Sequence, residues 1–381
     1  MLRQRLHKII ADAVRANEIP YGLLLVRKDH KEFLYTEEGV NRDAVFRIYS
    51  MTKPVTSAAV MKLIEAGELL SSDPVSRFLD GFQNQRVAVC GGTVPVKREV
   101  TIGDLLNMTS GLVYGNPNTM AGVQTQAVLD EIDRRLLSKN PVSTREAANL
   151  FGRCALNFQP GESWDYGVSA DILGAVIEVV CGETFGQFVE RELLLPLEMY
   201  DTGFTVREEN KKRLVQSFER AADGTLVPYH GNHLGIINAM DRSAVYESGG
   251  AGLTSTPDDY SHFAEMLLCD GSYHGRQILK ERTVRYMTSP KLNKKQRRNL
   301  GWEADYSGYN YGNLMRILVD ENKSPVIGTN GSYGWDGWMG TFFCNSPADC
   351  MTVLFFTQVT NAGWLPVAKR LQNVIFSELT H

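Results

Sequence analysis

The apolar positions near the start of the chain change from helical spacing to the spacing of strands and back. An amphipathic N-terminal helix is predicted from the apolar residues at helical spacing, Leu6, Ile9, Ile10, Ala13 and Val14. The runs YGLLLVRKD and KEFLYTEEG follow, and the polar Asp29 and His30 between them predict a two-stranded hairpin. A second apolar run, beginning near Phe46, predicts a helix that ends near Ala66, because Gly67 suits the left-handed position after a helix.

Helical patterns dominate from Ser71 to about Tyr200, and short strands with long loops follow from about Gly203. In the later part, Thr256 as N-cap and Pro257 at the first position predict the start of one well-marked helix. The last hundred residues contain the strand-like runs LMRILVD, GWMGTFFCN and CMTVLFFTQ, and a terminal helix, GWLPVAKRLQNVIFSEL, comes after them.

This order of elements predicts an α/β (α+β) fold with an inserted helical region. Residues 1–75 and 203–381 are expected to form one discontinuous domain, an antiparallel sheet flanked by the terminal helices. Residues 76–202 are expected to form a second, mainly helical domain. We expect the active site at the interface between the two.

Composition narrows the class of protein. The 381 residues are 43% hydrophobic, enough for a large core, and the net charge of -4 gives no electrostatic basis for nucleic-acid binding. The sequence contains no signal peptide and no apolar stretch that could span a membrane, so we expect a soluble cytoplasmic protein with no membrane partner. The six cysteines form no C-x-x-C pair, which favours reduced thiols over disulfides or a zinc site.

A serine and a lysine three residues apart stand at the start of the second helix. Positions i and i+3 of a helix are neighbours, so the side chains of Ser50 and Lys53 can meet. The free N–H groups and dipole of a helix N-terminus favour negative charge on an attacked carbonyl. Lys53 could accept the serine proton only if burial lowers its pKa, and the apolar residues around it supply that burial. Ser-x-x-Lys alone is a weak signal, and an N-cap serine beside a surface lysine is the plain alternative.

Several longer segments resemble a known superfamily and occur in its order along the chain. They are YSMTKPVTSAAVMKLIEAGEL, SSDPVSRFLDGF, TIGDLLNMTSGL, PGESWDYGVSADILGAVIE, SGGAGLTSTPDDYSHFAEMLL and YGWDGWMGTFF. Together they resemble the serine β-lactamase and penicillin-binding-protein superfamily, particularly class C β-lactamases and family VIII carboxylesterases. The resemblance implies a β-lactamase/transpeptidase-like fold and an acyl-enzyme formed on Ser50 with the help of Lys53.

The resemblance also implies three further roles. Tyr166, in WDYGVS, would be a second general acid/base, with Lys53 close enough to stabilise its phenolate. The backbone N–H groups of Ser50 and Trp338 would form the oxyanion hole. Without the resemblance, ordinary packing would be the preferred interpretation of Tyr166 and of the tryptophans.

Two motifs depart from the β-lactamase pattern. Val168 stands where β-lactamases have the asparagine of Tyr-x-Asn, so a hydrogen bond is replaced by a small apolar wall. Trp335, Asp336 and Gly337 stand where β-lactamases have Lys-Thr-Gly and family VIII esterases often have Trp-Gly-Gly. These four residues are the predicted substrate-binding set. An inward-facing Asp336 would repel a substrate carboxylate.

Other catalytic patterns are missing from the sequence. It has no G-x-S-x-G nucleophile elbow and no nucleotide-binding motif. His230 and His233 have a spacing that could ligate a metal, but no companion ligand motif supports this, and a loop beside the pocket is the preferred interpretation. We therefore expect no metal and no cofactor.

The predicted function is that of a serine hydrolase, first of all a carboxylesterase acting on a small uncharged acyl substrate. A β-lactamase or D-amino-acid peptidase or amidase is the alternative enzyme. A non-catalytic pseudoenzyme that binds an acyl or peptidoglycan-like ligand is the alternative from another class. The sequence determines neither the physiological substrate nor the oligomeric state, and the loop from about Lys211 to Glu247 is expected to shape the pocket.

Overall fold

The computed structural model describes residues 1–300 and 306–379. The strands, in chain order, are β1 (Gly22–Lys28), β2 (Lys31–Glu38), β3 (Phe46–Arg47), β4 (Arg86–Val89), β5 (Gly92–Pro95), β6 (Phe218–Arg220), β7 (Leu226–Pro228), β8 (Thr254–Ser255), β9 (Ser272–Tyr273), β10 (Arg276–Gln277), β11 (Tyr309–Gly312), β12 (Met315–Leu318), β13 (Tyr333–Asp336), β14 (Phe342–Ser346) and β15 (Met351–Phe356). The helices are α1 (Leu2–Arg15), α2 (Thr52–Ala66), α3 (Ile102–Leu106), α4 (Met120–Arg135), α5 (Thr144–Gly152), α6 (Ser169–Cys181), α7 (Phe185–Val189), α8 (Pro257–Leu268), α9 (Glu281–Met287), α10 (Arg297–Leu300) and α11 (Pro366–Leu379).

The main sheet is antiparallel and is built from both ends of the chain. Its seven strands lie in the order β11-β12-β13-β14-β15-β1-β2, so the N-terminal hairpin pairs with the last strand. The hairpin turns at Asp29 and His30, whose φ angles of 51° and 63° are the left-handed values that a tight two-residue turn requires. The predicted fold class, an antiparallel sheet with flanking helices, is confirmed.

Helices cover the sheet and close its core. Leu6, Ile10 and Ala13 on one face of α1 are buried, as their spacing predicts, and α1 packs against β2 and α11. α8 packs against β14 and β15, and its N-cap Thr256 accepts a hydrogen bond from the Asp259 N–H as the sequence predicts. Among the described residues, no single helix is both long and apolar enough to cross a bilayer.

The region between residues 76 and 202 carries α3 to α7 and the small hairpin β4–β5. Thr101 and Ser143 cap α3 and α5 by accepting hydrogen bonds from the N–H groups of Asp104 and Glu146. α6, the most apolar of these helices, packs against α2. This contact joins the helical region to the helix that follows Ser50, while the division of the chain into two domains stays a prediction.

Candidate active site

Ser50 lies in a short 3₁₀ turn, Tyr49–Met51, that runs directly into α2. The hydroxyl oxygen of Ser50 lies 3.1 Å from Nζ of Lys53, so the two side chains form the hydrogen bond that their spacing predicts. Tyr49, immediately before the serine, has a φ of 42°, an unusual backbone conformation for a residue with a side chain. The helix ends at Ala66, and Gly67 has a φ of 75°, as predicted.

The lysine amine is surrounded by neutral oxygen atoms. Besides Ser50, Nζ of Lys53 contacts the Gly250 carbonyl oxygen at 2.8 Å and the Tyr114 hydroxyl at 3.1 Å. The side chain is fully buried, and this burial lowers the pKa of Lys53 to about 7, although Asp171 and Asp336 act in the opposite direction. A neutral amine has two N–H groups and one lone pair. If the N–H groups go to Gly250 and Tyr114, the lone pair is left for the Ser50 hydroxyl.

Tyr166 lines the same cavity as the serine. Its phenol oxygen accepts a hydrogen bond from Nε1 of Trp335 at 3.0 Å. Burial raises the pKa of Tyr166 above its usual value, and the neighbouring Ser50 and Trp335 offset the rise only in part. Lys53 lies 4.6 Å from the centre of the phenol ring. The resting site therefore contains a neutral phenol beside an amine of low pKa, which does not support the expected phenolate.

Two contacts of this site were missed by sequence reasoning. Tyr114, which bonds Lys53, follows TSGL in the chain, and Asp171 lies in the first turn of α6, five residues after Tyr166. Asp171 accepts hydrogen bonds from the Tyr246 hydroxyl at 2.9 Å, from the Gly250 N–H at 3.1 Å and from Ser248. Asp171 thus holds the segment whose carbonyl binds Lys53. The only signals in the sequence were the position of Tyr114 two residues after TSGL and the position of Asp171 within the segment that carries Tyr166.

The end of β13 approaches the serine turn closely. A Cβ atom on Gly337 would lie 2.5 Å from the Ile48 carbonyl oxygen, so only glycine permits this approach. Trp338 follows directly and is fixed by its Nε1 donating to Asn361 at 2.9 Å and by stacking on His233, with ring centres 3.9 Å apart. The role of the Ser50 and Trp338 N–H groups in an oxyanion hole stays a prediction.

A cavity of about 580 Å³ opens beside Ser50. Its aromatic walls are Tyr114, Trp164, Tyr166, Tyr306, Trp335, Trp338 and Trp364. Of the predicted substrate-binding set, Trp335 and Asp336 line the cavity, whereas Val168 and Gly337 are not among the lining residues. Val168 instead directly precedes α6 and is buried in the main core, so the cavity wall described here does not include the expected valine.

Asp336 does not present an isolated charge to the cavity. Its carboxylate forms a buried ion pair with the guanidinium of Arg316 on β12. Burial alone would lower the pKa of Arg316, but Asp336 and nearby phenols outweigh it and raise the pKa. Arg316 also lies 4.5 Å from the ring centre of Trp364. The expected repulsion of substrate carboxylates by Asp336 is therefore weakened by its partner.

A second carboxylate lines the same cavity. Asp133, on α4, accepts a hydrogen bond from the Gly235 N–H at 3.0 Å, and burial raises the pKa of its carboxyl group.

His233 and Leu234 also line the cavity, so part of the 211–247 loop forms its wall. Burial lowers the pKa of His233 to about 4, which leaves the imidazole neutral at pH 7. Among the described lining residues, none is a lysine or an arginine.

Comparison with known proteins identifies the family of the chain. A sequence model of the Beta-lactamase family matches residues 6–372. The chain is 31% identical to Protein Rv1367c of Mycobacterium tuberculosis over 84% of this chain and 78% of that protein. It is 27% identical to Esterase EstB of Burkholderia gladioli over 99% of this chain and 95% of that protein. Among solved structures, EstCE1, described as a hydrolase with promiscuous acyltransferase activity, superposes with a TM-score of 0.82 at 22% identity and covers 98% of both chains.

Proposed function

The chain belongs to the Beta-lactamase family of serine hydrolases, and from that premise we propose that it is a carboxylesterase that forms an acyl-enzyme on Ser50. The observation that carries the proposal is the position of the serine hydroxyl. It lies 3.1 Å from the amine of Lys53 and shares with the phenol of Tyr166 the wall of a cavity large enough for a small ester.

Acylation begins with the proton of the Ser50 hydroxyl. The neutral Lys53 amine takes this proton as Oγ attacks the ester carbonyl carbon, and the carbonyl oxygen becomes an oxyanion. The N–H groups of Ser50 and Trp338 stabilise that oxyanion. The C–O bond to the leaving group then breaks. Tyr166 gives its phenol proton to the departing alkoxide and then recovers a proton from the Lys53 ammonium, which becomes a neutral amine again.

Deacylation uses the same groups in the reverse order. Water enters beside the acyl-enzyme, and the neutral Lys53 amine accepts its proton through the phenol of Tyr166 while the hydroxide oxygen attacks the acyl carbon. The bond between the acyl carbon and Oγ of Ser50 breaks, and the serine recovers its proton. The reaction as written releases one alcohol and one acid and consumes one water molecule.

The electrostatics of the cavity favour uncharged substrates. Its described lining residues include the carboxylates of Asp133 and Asp336 and no cationic side chain. Arg316 neutralises Asp336 but is itself only 3% exposed, so it offers a substrate carboxylate little contact. β-Lactams and D-alanyl peptides carry a carboxylate. We therefore place small neutral acyl esters ahead of β-lactams and D-amino-acid peptides.

Labelling with a fluorophosphonate probe tests the nucleophile. Peptide mass spectrometry should find the phosphonyl group on Ser50, and the Ser50→Ala variant should not be labelled. Ser57→Ala is the matched control, because Ser57 is a buried serine of α2, the helix that follows Ser50, and does not line the cavity. Absence of labelling in the folded wild-type protein would favour the non-catalytic binder.

Turnover of p-nitrophenyl butyrate and of nitrocefin, measured side by side, tests the substrate class. The proposal predicts a higher kcat/KM for the ester. A higher kcat/KM for nitrocefin would make the protein a β-lactamase instead. Adding a simple alcohol to the ester assay shows whether an acceptor other than water is used, because transesterification yields a new ester in place of the free acid.

A further inference from the structure

A histidine, a glutamate and a cysteine converge where the β1–β2 turn meets the C-terminal end of α8. Nδ1 of His30 lies 3.2 Å from Sγ of Cys269 and 3.3 Å from Oε1 of Glu265. The same glutamate oxygen lies 3.8 Å from the sulfur. No residue of the proposed esterase site belongs to this group, which we call the turn cluster (His30, Glu265 and Cys269).

The separations within the turn cluster match the edges of a metal coordination tetrahedron. Imidazole nitrogen, thiolate sulfur and carboxylate oxygen are all zinc ligands. With metal–ligand bonds of about 2.0–2.3 Å, a tetrahedral site places pairs of ligand atoms about 3.3–3.7 Å apart. Each of the three measured distances falls within about 0.3 Å of that range. One ion could therefore contact all three atoms with small side-chain movements.

Local structure holds each of the three side chains in place. Glu265 and Cys269 are four residues apart, and the Cys269 N–H donates to the Glu265 carbonyl at 2.8 Å, so both side chains lie on one helical face. His30 has a left-handed φ of 63° at the second position of the hairpin turn.

Arg27 supports two of the ligands from outside the cluster. Its Nε donates to Oε2 of Glu265 at 2.6 Å, which leaves Oε1 facing the histidine and the thiol, and its Nη2 donates to the His30 carbonyl at 3.2 Å. Metal sites regularly contain such groups, which hydrogen-bond to the ligands of the metal and hold them in position. The His30 side chain is 51% exposed, so an ion can enter from solvent.

We propose that the turn cluster binds Zn²⁺, with water as the fourth ligand. On binding, the Cys269 thiol releases its proton to solvent and the thiolate sulfur becomes a ligand. The ion then links the β1–β2 turn to α8. Because the unfolded chain does not hold these three residues together, the metal stabilises the folded protein.

Titration of the intact, reduced protein with Co²⁺ and Zn²⁺ tests the site. One Co²⁺ per chain should produce a thiolate-to-cobalt charge-transfer band, Zn²⁺ should displace the cobalt, and Zn²⁺ should raise the Tm. Cys269→Ala should abolish the band. His30→Asn, which retains a residue tolerant of the left-handed conformation, should weaken binding by about tenfold or more.

Cys90→Ala is the matched control, because Cys90 is an exposed thiol outside the cluster. It should leave the band, the affinity and the Tm rise unchanged, and ester turnover should be unchanged in all three variants. Absence of a thiolate band in the wild-type protein would overturn the proposal. Retention of the band in Cys269→Ala, or its loss in Cys90→Ala, would overturn it as well, whatever the outcome for the esterase.

Discussion

Lys53 and Arg316 are both cationic residue types buried beside the same cavity, but their surroundings give them opposite properties. Lys53 contacts three neutral oxygens, and burial lowers its pKa to about 7. Arg316 contacts the carboxylate of Asp336, and its pKa is raised. Burial disfavours charge in both cases, and a directly paired carboxylate decides whether the charge survives.

The position of the nearest carboxylates explains this difference. Asp171 raises the pKa of Lys53 from a distance, but its own hydrogen bonds go to Tyr246, Ser248 and Gly250 rather than to the amine. The site therefore keeps a proton acceptor beside Ser50 and a permanent cation behind Asp336. Lys53 is the base of the proposed reaction, and Arg316 neutralises the carboxylate of Asp336 at the cavity wall.

Replacing Lys53 should have the largest effect. Neither Lys53→Arg nor Lys53→Met can accept the serine proton, so we expect each to lower kcat/KM for p-nitrophenyl butyrate by about 10³-fold or more. Cooperative thermal unfolding of both variants is the control for folding. Activity of Lys53→Arg within tenfold of the wild-type value would show that this amine is not the base.

Breaking the ion pair between Asp336 and Arg316 should chiefly lower the stability of the protein. Asp336→Asn leaves the guanidinium of Arg316 buried without a counter-charge, which should lower the free energy of unfolding by about 3–5 kcal/mol. Urea unfolding measures the change. The double variant Asp336→Asn/Arg316→Met should recover much of the loss, because no unpaired charge is left. If the losses in free energy of unfolding of the Asp336→Asn and Arg316→Met single variants simply add in the double variant, the two residues are not coupled.

The pH dependence of acylation should report the pKa of Lys53. Because the proposed base is the neutral amine of Lys53, kcat/KM for a neutral ester should rise about tenfold per pH unit below pH 7 and level off above it. Asp171→Asn removes a charge that raises this pKa, so the midpoint should move to lower pH. An upward shift of the midpoint would be inconsistent with the arrangement described above.

The smallest expected effect concerns selectivity. Asp133→Asn removes one carboxylate from the cavity wall, which should raise kcat/KM for an anionic hemisuccinate ester by less than about tenfold. Turnover of the neutral butyrate ester should stay the same. A comparable change for both esters would show that Asp133 acts through structure rather than through charge.

The sequence predicted features that depend on local spacing. The hairpin turn at Asp29 and His30, the cap at Thr256 and the contact between Ser50 and Lys53 all follow from residues close together in the chain. The resemblance to known families supplied Tyr166, which lies more than a hundred residues from Ser50.

Features that depend on distant packing could not be predicted. Arg316 meets Asp336 only because β12 lies beside β13, and Gly250 reaches Lys53 only because Asp171 on α6 holds it there. Val168 was assigned to the pocket by its motif position, but the start of α6 places it in the core. Neither the spacing nor the types of residues along the chain predict these contacts, because they join residues that are far apart in the sequence.

The central claim is that burial lowers the pKa of Lys53 to about 7, so that a large fraction of it is a neutral amine at physiological pH, and its side-chain titration tests this most directly. Protein labelled with ¹³C at the lysine ε position can be titrated by NMR, with the Lys53 signal assigned by its absence in Lys53→Met. We predict a midpoint near pH 7, well below that of the exposed lysines. A midpoint near pH 10, like that of the other lysines, would contradict the proposed role of Lys53 as the base that activates Ser50.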